Sequence, residues 1–64
     1  MKVNGEQIIL SEKILLAEFL QREGYALEKI AVELNGEIIT RSRYASVILT
    51  DADNLEIVSF VGGG

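Results

Sequence analysis

A chain of 64 residues with no Cys, His or Pro has room for one small core and must hold it by packing alone, because neither a disulfide nor a thiolate or imidazole metal site can reinforce it. Its 48% hydrophobic and 25% charged residues exclude a disordered chain, and no apolar run approaches the roughly 20 residues of a membrane-spanning helix. A net charge of −4 with scattered Lys and Arg argues against nucleic acid as a partner, since phosphate neutralisation needs a basic patch, and suits either a protein partner with a basic surface or solubility alone.

Met1 to Asn4 is a β-prone start, and Asn4-Gly5 is the commonest two-residue hairpin signal because both residues tolerate positive φ. The return strand runs from Glu6 to Leu10, with Ile8 and Leu10 on one face. Ser11 then reads as an N-cap, with Glu12 near the positive end of a helix dipole, and a helix is expected over Ile14 to Glu23, stopped by Gly24. Its apolar stripe is Leu16, Phe19 and Leu20 with Leu15 one turn earlier, while Glu18, Gln21 and Arg22 lie toward water.

Ile30 to Leu34 is the next strand, and Asn35-Gly36 repeats the turn signal before Glu37 to Thr40. Between Arg41 and Asp53 the pattern is irregular, so a loop holding one short strand or helical turn around Val47, Ile48 and Leu49 is expected. Asp51-Ala52-Asp53-Asn54 reads as a turn into a last strand, Leu55 to Val61, rich in β-branched and aromatic residues. This order of elements predicts an α+β domain over residues 1–61, a mixed sheet of four to five strands packed on one helix, with Ile8, Leu10, Val32, Leu34 and Ile57 facing the helix stripe.

Gly62, Gly63 and Gly64 follow the last strand directly and cannot continue it favourably, so residues 62–64 are expected to form a flexible tail. Without Cβ atoms such a tail can thread into a narrow channel, and the carboxylate of Gly64 is sterically unhindered. A free carboxylate is a poor acyl donor, so its use requires conversion to an acyl adenylate by another protein.

Within the domain little else suggests chemistry. Ser11, Ser42, Ser46 and Ser59 have no His to act as base and no Cys is present, so self-contained catalysis is not expected. Asp51, Asp53, Asn54 and Glu56 resemble the start of a calcium loop but lack its Gly and its distal Glu, and a turn explains them better; no metal site is expected. Arg41 and Arg43, two apart in an irregular segment, read as solvated side chains. Val58 and Phe60 share one face of the last strand and Ile57 and Ser59 the other, so apolar groups beside the tail are available either to the core or to a docking partner.

The stretch Ala31-Val-Glu-Leu-Asn-Gly-Glu-Ile-Ile-Thr-Arg41, the helix segment Leu15-Leu-Ala-Glu-Phe-Leu20 and the ending Leu55-Glu-Ile-Val-Ser-Phe-Val-Gly-Gly-Gly64 resemble ThiS, the sulfur-carrier family of thiamin thiazole biosynthesis. The resemblance covers almost the whole chain and departs from the family pattern at Ala52, Thr40 and Tyr44, where Gly, Pro and Trp are usual. It implies a ubiquitin-like β-grasp fold and a cytoplasmic carrier that is not itself an enzyme and binds no cofactor. Gly64 would be adenylated by a ThiF-like enzyme using ATP and magnesium, converted to a thiocarboxylate by a persulfide sulfur donor, and presented to a ThiG-like thiazole synthase. A MoaD-like molybdopterin carrier or a ubiquitin-like modifier would use the same terminus, and an interaction module with an inert tail would not use it at all.

Overall fold

A computed structural model describes residues 1–60 of the chain. In chain order its elements are β1 (Lys2–Val3), β2 (Glu6–Gln7), β3 (Ile14–Leu15), α1 (Leu16–Arg22), β4 (Ile30–Leu34), β5 (Glu37–Ile39), β6 (Ile48–Leu49) and β7 (Asn54–Ser59), with short 3-10 turns at Leu27–Lys29 and Arg41–Arg43. Five strands form one mixed sheet in the order β2-β1-β7-β4-β5, and β3 pairs with β6 in a separate two-stranded ribbon. The last strand is thus the central one, parallel to β1 and antiparallel to β4. This is the β-grasp arrangement that the resemblance implies.

Both Asn-Gly pairs make the hairpins expected of them. Asn4 and Asn35 each sit at φ 52° and the glycines after them at φ 84° and 85°, so both central residues are left-handed, as a turn matched to strand twist demands. Each Asn does a second job. The Asn4 side-chain oxygen accepts the Ile57 N–H at 2.7 Å, and the Asn35 side-chain oxygen accepts the Asn54 N–H at 2.9 Å. The two hairpins therefore grip the central strand from opposite sides of the sheet, through residues that the turns already required.

The helix differs from the sequence expectation at its start. Ser11 is not its N-cap and Ile14 is not helical: Leu15 occupies the cap position in extended conformation, without a side-chain cap bond. Ile14 and Leu15 instead pair with Leu49 and Ile48. The Leu16 and Ala17 N–H groups, which a helix start leaves without intrahelical partners, donate to the carbonyls of Val47 and Tyr44 at 2.8 and 2.9 Å. Tertiary main-chain acceptors replace the side-chain cap, a substitution that local sequence does not reveal. The C-terminal end follows expectation: Gly24 stands at φ 86°, its N–H donates to the Gln21 carbonyl and the Tyr25 N–H to the Leu20 carbonyl. That pair of bonds is the Schellman arrangement, in which glycine accepts the left-handed conformation without Cβ strain.

Leu16, Phe19 and Leu20 face a core shared with Leu10, Val32 and Ile57, as expected, together with Met1, Ile30, Ile39, Tyr44, Leu49 and Leu55. Ile8, Leu34 and Leu15 are half-buried. Tyr44 was not expected there; it is buried where the 3-10 turn after β5 comes back over the helix start. Burial raises its phenol pKa, partly offset by the Arg41 charge. The irregular stretch after β5 holds both a 3-10 turn and the short strand β6.

Two carboxylates hold the loop before β7. Asp51 Oδ1 accepts the Leu10 N–H at 2.8 Å and the Met1 ammonium at 2.9 Å, and these bonds, the Leu10 one foremost, lower its pKa from 3.8. At Asp53 partial burial pushes the pKa up, but hydrogen bonds from the Asn35 amide, the Thr50 N–H and the Thr50 hydroxyl outweigh it, and the net shift is downward. Of the calcium-like spacing, Asp51 thus binds the N-terminal segment, and Asp53 binds Thr50 and the second hairpin.

Chains of this size have about 3–10 kcal/mol of stability at 0.05–0.15 kcal/mol per residue. Leu20→Ala, at a side chain with no exposed surface, is expected to cost about 2–5 kcal/mol and to leave the domain marginally folded in a urea titration. Asn35→Gly, which keeps the turn conformation and loses the bonds to Asp53 and Asn54, should cost about 1 kcal/mol, and Asn35→Ala, which also meets the left-handed strain, about 1 kcal/mol more. Because Asp51 and Asp53 have folded pKa values below their unfolded ones, their contribution is complete above the unfolded value and lost as pH falls through the folded values. Urea midpoints should be flat above about pH 5 and fall below about pH 4, with a shallower acid slope for Asp53→Asn.

Candidate functional site

The functional candidates of the sequence lie on β7 and beyond it. Gly62, Gly63 and Gly64, the expected tail, are outside the described residues. The strand that leads to them is described to Phe60, whose N–H donates to the Lys29 carbonyl at 2.7 Å. Main-chain pairing with the β4 side therefore continues one residue past Ser59.

Alternation along β7 separates its two faces. Leu55 and Ile57 are buried against the helix, while Val58 and Phe60 are 62% and 55% exposed. Of the two sets that the sequence left open, Val58 and Phe60 are the outward one. The register places Ala31 opposite Val58, Glu33 opposite Glu56, and Ile38 on the other side of Glu33. Ile38 is 71% exposed. Together Ala31, Val32, Glu33, Ile38, Glu56 and Val58 line a shallow hollow of about 110 Å³. Small-molecule sites run to roughly 300–1,000 Å³, so this hollow suits a side chain of another protein better than a free ligand.

The outer face also carries an unfavourable pair. Glu33 and Glu56 are directly opposite on adjacent strands, where like charges destabilise. The ion pairs among the described residues lie elsewhere, at Met1 with Asp51, Arg22 with Glu23 and Arg43 with Glu37. Two adjacent carboxylates bordered by Val58 and Ile38 therefore offer a cationic side chain both a charge to neutralise and an apolar wall for its stem.

Ile38 and Glu33 were not singled out from the sequence, and Glu56 only as part of the calcium-like spacing, although a signal existed. A two-residue Asn35-Gly36 turn pairs Leu34 with Glu37 and hence Glu33 with Ile38, and of the adjacent Ile38 and Ile39 only one can face inward. A larger hollow, about 440 Å³, lies between the segment 9–14 and the helix and is lined by Glu12, Lys13, Glu18 and Arg22 among others. It includes no residue of β7. Arg43 reaches Glu37 at 3.7 Å and Arg41 is exposed, consistent with solvated side chains.

Because Val58 makes no contribution to the buried core, Val58→Thr, which keeps the β-branch, should change unfolding free energy by no more than about 0.5 kcal/mol, as measured by urea denaturation.

The model of the ThiS family matches residues 1–64. A protein of Paramagnetospirillum magneticum described as thiazole synthase is 44% identical over 62 residues, 97% of this chain but 19% of that protein. The chain thus spans about a fifth of the length of this relative, and the same share of a thiazole synthase of Magnetococcus marinus at 39% identity. The sulfur carrier protein ThiS of Bacillus subtilis is 55% identical over 42 residues, 62% of this chain and 64% of that one. Among solved structures, the crystal structure of the thiamine biosynthesis protein ThiS from Geobacter metallireducens superimposes with a TM-score of 0.82 at 32% identity, covering 98% of this chain and 96% of that one.

Proposed function

Because the chain belongs to the ThiS family, we propose that it is a sulfur carrier of thiamin thiazole biosynthesis, a protein cosubstrate whose Gly64 carboxyl group is the reacting centre. The observation that carries this reading is the central position of β7: the most firmly held strand of the sheet leads directly to the glycine segment, beside an exposed apolar face.

In the proposed reaction a ThiF-like enzyme supplies ATP and magnesium. A Gly64 carboxylate oxygen attacks the α-phosphorus, the bond between the α- and β-phosphates breaks, and pyrophosphate leaves. The terminal sulfur of a cysteine persulfide then attacks the acyl carbon and expels AMP, giving an acyl disulfide. A second thiol cleaves that disulfide, leaving the thiocarboxylate on Gly64 and a disulfide between the two thiol donors. The thiocarboxylate would then donate its sulfur to a ThiG-like thiazole synthase. That two relatives described as thiazole synthase contain a segment similar to 97% of this chain supports pairing of carrier and synthase.

The chain contributes position rather than catalysis. Gly62 and Gly63 would pass through a channel too narrow for side chains, while Val58 and Phe60, joined by Ile38, would dock on the activating enzyme. Burial of these three side chains, one aromatic and two aliphatic, would anchor the body, and a basic side chain of the partner would sit between Glu33 and Glu56. The negative net charge of the chain speeds approach to such a surface.

Deleting Gly64 should leave the fold intact and abolish ATP–pyrophosphate exchange by the cognate ThiF-like enzyme; undiminished exchange overturns the proposal. Intact-mass analysis after incubation with enzyme, ATP and a sulfur donor should show one oxygen replaced by sulfur. Phe60→Ser is expected to raise KM for activation by about tenfold, corresponding to about 1.4 kcal/mol of lost docking, with kcat unchanged.

A further inference from the structure

The hydrogen-bond alternation along β7 leaves part of the central strand open on one side. Phe60 bonds toward β4, through the Lys29 carbonyl, and Asn54 does so through the Asn35 N–H; residues 56 and 58 share that parity. The odd-numbered residues face β1: the Lys2 N–H donates to the Asp53 carbonyl and the Asn4 N–H to the Leu55 carbonyl. At Asn4-Gly5 the chain turns away into β2, and the last rung on this side is made by the Asn4 side chain to the Ile57 N–H. The Ile57 carbonyl and both main-chain groups of Ser59 therefore point to the line of β1 after β1 has ended. Ser59 and Phe60 are exposed, and Gly5 borders open space.

We infer that this open stretch of β7 is a strand-addition site, where an extended main-chain segment of the activating enzyme continues the line of β1. The inference rests on the carrier reading above and specifies how the partner holds the carrier. The direction follows from Asn4. Since the Ile57 N–H is already taken, a parallel segment finds a complete set of complements: one of its residues donates to the Ile57 carbonyl and accepts the Ser59 N–H, and a residue two further on donates to the Ser59 carbonyl. An antiparallel segment would leave its own carbonyl opposite the occupied Ile57 N–H. Strand addition draws affinity from main-chain bonds and so tolerates variation in side chains. It also keeps the chain extended as it leaves the sheet, the conformation needed to enter a narrow channel.

Amide hydrogen exchange of the full chain, alone and with the cognate ThiF-like enzyme and ATP, tests this. In the free protein the Ser59 N–H should exchange fast while that of Val58, bonded within the sheet, is protected; in the complex Ser59 should slow by at least about tenfold, the worth of one main-chain bond. Ser59→Pro, which removes an N–H that the free protein does not use, should raise KM for adenylation by about tenfold with kcat unchanged. Adenylation that proceeds while Ser59 stays unprotected overturns the strand-addition site and leaves the carrier reading standing. Absence of any adenylation overturns both. If Ser59→Pro does not fold, exchange on the natural chain still decides.

Discussion

The placement of the last strand at the centre of the sheet is the constraint on which everything else depends. β7 has a parallel neighbour on one side and an antiparallel one on the other, and its inward residues, Leu55 and Ile57, complete the core beneath the helix. Because two hairpins made early in the chain must leave a gap for a strand made late, the sheet closes only when the C-terminal segment arrives. The Asn4 and Asn35 side chains mark that arrival: each finishes its own turn and also bonds a main-chain N–H of β7.

The outward face of β7 is not part of the buried core, which leaves Val58, Phe60 and the facing Glu33–Glu56 pair on the outer face of the sheet. Facing carboxylates cost the isolated domain something. Core and outer surface are thus the two faces of one strand, and alternation of side chains along it separates the two residue by residue.

Much of this was legible in the sequence because it rests on local chemistry. Asn-Gly at 4–5 and 35–36 specified both turns through backbone sterics, Gly24 specified the helix end, and the spacing of Leu16, Phe19 and Leu20 specified the buried stripe. The helix start was misread because Ser11 is an attractive cap, whereas the groups that satisfy the first helical N–H donors are the carbonyls of Tyr44 and Val47, some 30 residues later. The core role of Tyr44 depends on the same long-range contact. Of the candidate site, Val58 and Phe60 were found as a pair, but which face they shared with what could not be read without the register of β4 and β5. Glu33 and Ile38 entered only when strand pairing placed them beside Val58, and the same pairing moved Glu56 from the calcium-like spacing to this face.

The parallel pairing of β1 with β7 has a mechanical consequence. A pull on the C-terminal segment runs along β7, and neighbouring strands that resist sliding share the load across several rungs at once, whereas a hairpin pulled at its open end yields rung by rung. Tension along that strand is therefore borne in shear by the middle of the sheet, and the body resists deformation in the direction in which its last strand runs.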